Sequence, residues 1–177
     1  MSAEKDSLTI NQINVMDKEQ FVAALGGIFE HSPWVAEGAY RHVPFHSVEE
    51  LHSVMLETAR SAPRSQIEAL LRSHPDLATR LQVTPLSAAE QQGAGLDRLT
   101  PEEFKRLTEL NAAYTEKFRF PFILAVRGKN KDDIIKAIGE RVNRPLEEEW
   151  EQALHEIGKI TGFRLHDLLS EPEDTQS

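Results

Sequence analysis

Apolar positions along most of this chain recur at three- and four-residue steps, the spacing that gathers them on one side of a helix. In "VEELHSVMLETA", Val48, Leu51, Met55 and Leu56 keep that spacing, and Ser47 with Glu50 opens the segment. Asp17 with Gln20 resembles a capping box ahead of "FVAALGGIF". "SPWVAEGAY" offers Ser32 as N-cap and Pro33 at the first helical position. Pro63 can start a helix through Ile67, Leu70 and Leu71 that ends at His74, because Pro75 disfavours helical backbone in the residue before it. Thr100 to Glu103 is another helix start, followed by Phe104, Leu107, Leu110 and Tyr114 on one side. Asp132 and Asp133 favour a start ahead of Ile134, Ile135 and Ile138, and Pro145 opens the longest helix, to about Leu169. Period-two alternation is nowhere sustained. "FPFILAV" (120–126) is a single short β-like run, and one such run cannot form a sheet alone. The pattern predicts an all-α fold, a compact single-domain bundle of roughly eight to ten helices over residues 13–170, with flexible polar tails at 1–12 and 171–177.

Three places depart from a plain apolar stripe. In the last helix, Leu146, Trp150, Ala153, Ile157, Ile160 and Leu168 share a phase, and Arg164 falls within it. A guanidinium there requires a carboxylate, backbone carbonyls or a ligand, so the choice is an internal ion pair, a snorkelled surface arginine or a binding residue. His74 is either a helix terminator, favoured at the negative end of the dipole, or a proton donor held at a fixed edge. In "TPLSAAEQQGAGL", Ser87 and Glu90 have capping-box spacing. The same helix start offers N–H groups to an anionic or carbonyl-rich ligand, with Glu90 and Gln91 adding an acceptor and an amide.

Composition narrows the chemistry. The 177 residues contain no cysteine, which excludes disulfides, thiolate metal sites and cysteine nucleophiles. A net charge of −9 argues against a nucleic-acid or anionic-membrane surface, since both require a concentrated positive face. No apolar run approaches the ~20 residues needed to span a bilayer. "MSAEKDSLTINQ" lacks the basic and apolar regions of a signal peptide, so the expected compartment is the cytoplasm. His42 and His46 are separated by Pro44, which breaks a shared helix face, and no metal site is expected. Trp34 and Trp150 read as core. No glycine-rich phosphate loop or nucleophile elbow is present.

Four stretches in order, "LLRSHPDLA" (70–78), "SAAEQ" (87–91), "LNAAYTEKFRFPFILAV" (110–126) and "EIGKITGFRLHDLL" (156–169), resemble the OHCU decarboxylases. These enzymes act on 2-oxo-4-hydroxy-4-carboxy-5-ureidoimidazoline between urate and allantoin. The likeness runs from about Phe21 to Leu169. It implies an all-helical, cofactor-free, homodimeric enzyme that binds a small molecule. The resemblance makes His74 of H-P-D-L the catalytic histidine and Glu90 of S-x-x-E-Q the essential glutamate. It implies substrate contacts from Pro75, Ser87, Ala88, Ala89, Glu90 and Gln91, from the main chain of Phe122, Ile123, Leu124, Ala125 and Val126, and from Arg164. The family's usual K-F-G-F-P-F reads "KFRFPF" here, so Arg119 carries strain if that position has positive φ. Two rival readings are a non-catalytic helical interaction module and a lyase or hydrolase acting on another ureido compound.

Overall fold

The computed structural model of the chain describes residues 8–74 and 99–170. Eight helices lie among the described residues: α1 (Ile10–Asn14), α2 (Lys18–Leu25), α3 (Pro33–Tyr40), α4 (Val48–Arg60), α5 (Arg64–Ser73), α6 (Pro101–Phe118), α7 (Lys131–Arg141) and α8 (Leu146–Leu168). Two-residue strands, β1 (Leu8–Thr9) and β2 (Leu169–Ser170), pair in parallel with Leu8 opposite Leu169. The all-helical expectation holds. The chain separates into two compact units, one of residues 1–70 and 158–177, the other of residues 71–157.

In the first unit, starts follow the caps. Asp17 and Gln20 form a reciprocal capping box, and Ser47 accepts from the Glu50 N–H. Ser32 precedes Pro33 as expected, but its hydroxyl donates to the Glu30 carbonyl at 2.9 Å and makes no side-chain cap. Residues 8–12, placed in a tail by the sequence pattern, carry β1 and the start of α1. Thr9 and Gln12 form a capping box there, and Ile10 and Ile13 are buried. Two isolated isoleucines in a short helix leave too little periodicity to see. The Asn14 side chain brackets the Phe45 peptide, donating to its carbonyl at 2.8 Å and accepting from its N–H at 2.7 Å. Phe45 stacks at 6.4 Å from Phe21, which meets Tyr40 edge-on at 5.3 Å. α3 and α4 pack tightly at Gly38, where an added Cβ would fall 2.5 Å from Thr58 Cγ2. The segment holding Pro44 is non-helical, so His42 and His46 share no helix face.

The second unit buries an aromatic cluster. Tyr114 contacts Phe118 at 4.6 Å and Phe122 at 5.2 Å, and Phe120 meets Trp150 at 6.1 Å. The buried face of α6 is Leu107, Asn111, Tyr114 and Phe118. Phe104, expected on that face, is 49% exposed in the first turn, and Leu110 is half-buried. The stripe therefore begins one turn later than predicted and accepts a buried asparagine. α8 shows the same offset: Leu146 is 45% exposed, and burial starts at Glu149 and Trp150. α7 starts at Lys131 with Asn130 as its cap, in a capping box with Asp133.

Candidate active site

α5 ends at Ser73, and His74 follows in a bend, its N–H reaching the Leu71 carbonyl at 3.3 Å. This is the stop that the following proline dictates. The His74 side chain is only 5% exposed, so the imidazole is held inside the fold rather than in solvent.

Within the same unit, Arg72 Nε donates to the Arg119 carbonyl at 3.0 Å and ties the end of α5 to the loop after α6. Arg119 itself caps α6 in the left-handed conformation, φ 68° and ψ 21°, with its N–H on the Thr115 carbonyl at 2.8 Å. That geometry is the one glycine adopts most easily, so the strain anticipated at this position is present. The run Pro121–Ala125 then passes through the interior, outside any helix or strand.

Buried charge holds that run. Arg141 Nη1 donates to the Ile123 carbonyl at 2.8 Å, and the Ala125 N–H donates to Glu156 Oε1 at 2.9 Å. Gln152 Nε2 donates to the other Glu156 oxygen at 2.7 Å. Arg141 is paired in turn with Glu149, 0% exposed, through Nε and Nη2 at 2.9 Å each. Its guanidinium lies 4.5 Å from the centre of the Phe122 ring. The Tyr114 hydroxyl donates to Glu149, and burial followed by that carboxylate pushes its pKa well above the ordinary phenol range. Arg141, Gln152, Glu156 and Leu124 line a cleft of about 380 Å³.

Arg164 belongs to the first unit. Its Nη1 donates to Glu30 Oε1 at 2.8 Å and to the Ile28 carbonyl at 3.1 Å, with the side chain 30% exposed. The carboxylate and carbonyl demanded by its place on the helix are both there. Nearby on α8, Thr161 accepts from or donates to His52 Nε2 at 3.0 Å, and burial lowers the His52 pKa.

The sequence model for OHCU decarboxylase matches residues 14–166. The chain belongs to that family. It is 43% identical over 163 residues to the 2-oxo-4-hydroxy-4-carboxy-5-ureidoimidazoline decarboxylase of Haloferax volcanii, covering 92% of this chain and 97% of that protein. The protein of the same description from Halalkalicoccus jeotgali is 39% identical over 169 residues, covering 96% of both. Among solved structures, a crystal structure of (S)-allantoin synthase is 30% identical and superposes with a TM-score of 0.78. The match covers 92% of this chain and 54% of that one, so the chain spans about half of the allantoin synthase.

His74 and Phe122–Val126 fall in the second unit and Arg164 in the first. Pro75, Ser87, Ala88, Ala89, Glu90 and Gln91 lie outside the described residues. The sequence pattern missed Arg141, Glu149 and Glu156. Glu149 sits in an acidic run at the start of α8, yet it shares the buried phase with Ala153 and Glu156 at four- and seven-residue steps. Among the described residues, no cluster of three or more His, Asp or Glu could hold a metal ion, and no helix is long and apolar enough to cross a membrane.

Proposed function

We propose that this chain decarboxylates 2-oxo-4-hydroxy-4-carboxy-5-ureidoimidazoline to (S)-allantoin, without a cofactor, as a cytoplasmic homodimer. The observation that carries this reading is the end-to-end similarity to decarboxylases of that description, 96% coverage of both chains in one case. The buried histidine at the end of α5 supports it.

The substrate supplies its own electron sink. When the bond to the carboxylate breaks and CO₂ leaves, the electron pair moves into the ring toward the neighbouring C=N nitrogen, which takes up a proton. The resulting enol then gains a proton on the ureido-bearing carbon and loses one from its hydroxyl. Overall, one CO₂ departs and one proton replaces it. The protein has to hold the carboxylate out of the ring plane, stabilise the charge that develops in the ring, and deliver a proton to one face.

His74 is assigned the proton delivery. Its buried position keeps bulk water from competing for the carbon, and positioned proton transfer is typically worth ~10²–10⁴ in rate. Glu90 orients the hydroxyl or ureido group and favours the protonated imidazole. Arg164, with amide groups of Phe122–Val126, binds the ring and ureido oxygens and stabilises negative charge. Ser87 and Gln91 add contacts, with Pro75, Ala88 and Ala89 beside them.

Substrate loss in a stopped assay tests the assignment. The parental chain is expected to consume freshly made substrate well above the uncatalysed rate, and His74→Asn to lose ~10²–10⁴ of that acceleration. Parental rates in His74→Asn would remove the histidine from the mechanism.

A further inference from the structure

Two buried charged side chains grip the main chain of the 122–126 run, and the mechanism above gives neither a role. Arg141 takes the Ile123 carbonyl, and Glu156 takes the Ala125 N–H. Both side chains are almost inaccessible, and both are braced in turn: Arg141 by Glu149, Glu156 by Gln152. A neutral amide or hydroxyl would satisfy either peptide group at a smaller desolvation cost. What a charged partner adds is a shorter and stronger bond, roughly twice that between neutral groups, and so a more sharply fixed peptide plane.

We infer that Arg141 and Glu156 are positioning residues that set which peptide groups of Phe122–Val126 face the substrate. This rests on the proposed function. In extended backbone the amide groups of successive residues leave on opposite sides. Ile123 presents its carbonyl to Arg141, and Ala125, two residues on, presents its N–H to Glu156. With the run extended between those two anchors, as its course outside any helix or turn allows, the N–H and C=O of Leu124, with the Phe122 carbonyl and the Val126 N–H, are left for the opposite side. That edge alternates acceptor and donor. It matches a flat ring whose carbonyl oxygen and N–H groups lie side by side, as in an imidazoline bearing a ureido arm. Reversing one peptide plane would present the wrong partner to each ring atom.

Glu156→Met, Glu156→Gln and Gln152→Leu, compared with the parental chain, separate this role from simple packing. Steady-state kinetics and the optical purity of the product are read together. Glu156→Met is expected to raise KM, lower kcat/KM by about 10- to 100-fold, and reduce optical purity as the ring binds in more than one orientation. Glu156→Gln keeps a neutral acceptor for the Ala125 N–H and is expected to recover only part of the loss, the remainder measuring what the charge adds. Gln152→Leu removes only the half-buried brace, and should shift KM and optical purity in the same direction by less. If Glu156→Met does not fold, Gln152→Leu decides the matter. Folded variants with parental KM and optical purity, altered only in melting temperature, overturn the inference while the function stands. A parental chain that leaves the substrate untouched overturns the function itself, and this inference with it.

Discussion

Arg119 occupies left-handed backbone at the end of α6 with an exposed side chain, a conformation that costs a non-glycine residue roughly 1–2 kcal/mol. Its main chain does the useful work there, since both the Thr115 bond and the Arg72 bond use backbone atoms. Arg119→Gly is therefore expected to stabilise the protein by about 1 kcal/mol, a rise of roughly 2–4 °C in melting temperature on a calorimetric scan. His52 gives a pH prediction. Burial lowers its pKa from 6.5, so the unfolded chain binds the proton more readily than the folded one. The stability this contributes is present above the ordinary value, and is lost as pH falls from there through the lowered folded value. Melting temperatures at pH 7.5 and 5 should differ less in His52→Gln than in the parental chain. An equal pH dependence in both would show that His52 is not among the groups responsible. At this scale the sequence was readable where a residue broke a pattern. Arg164 stood out in an apolar phase and has the carboxylate and carbonyl it required. Glu149 and Glu156 did not stand out, because acidic residues on a long helix are ordinarily solvated.

Helix starts were the most legible elements, because a cap is a local exchange between side chain and N–H that needs no tertiary partner. The Asp17–Gln20 and Thr100–Glu103 boxes form as their spacing predicts. Thr9–Gln12 obeys the same rule but went unnoticed for lack of an apolar run behind it. What the pattern could not supply was burial of charge between elements. Glu149 on α8 and Arg141 on α7 pair at 2.9 Å, both nearly inaccessible, and only the packed unit brings them together. Removing one partner strands the other. Glu149→Ala is expected to lower the unfolding free energy by about 3–5 kcal/mol in a urea titration, a large share of the 5–15 kcal/mol typical of a domain. Glu149→Gln, which keeps an acceptor for Tyr114 and Arg141, should lose less. Equal stability of Glu149→Ala and the parental chain would contradict the view that this pair anchors the unit.

For the whole molecule, helical class and family were both legible, the first from periodicity and the second from four short motifs kept in order. Composition excluded thiol chemistry, argued against a polyanionic partner, and stopped there. Function needed the motifs, because an all-helical scaffold by itself specifies no reaction. The central claim concerns handedness: a planar intermediate protonated by bulk water is taken on either face and yields a racemate, whereas a fixed acid reaches one face only. Circular dichroism of the product formed from freshly generated substrate measures this directly. The parental chain is predicted to give optically active (S)-allantoin faster than the uncatalysed reaction proceeds. A racemic product, forming at the uncatalysed rate with the folded protein present, would contradict the account.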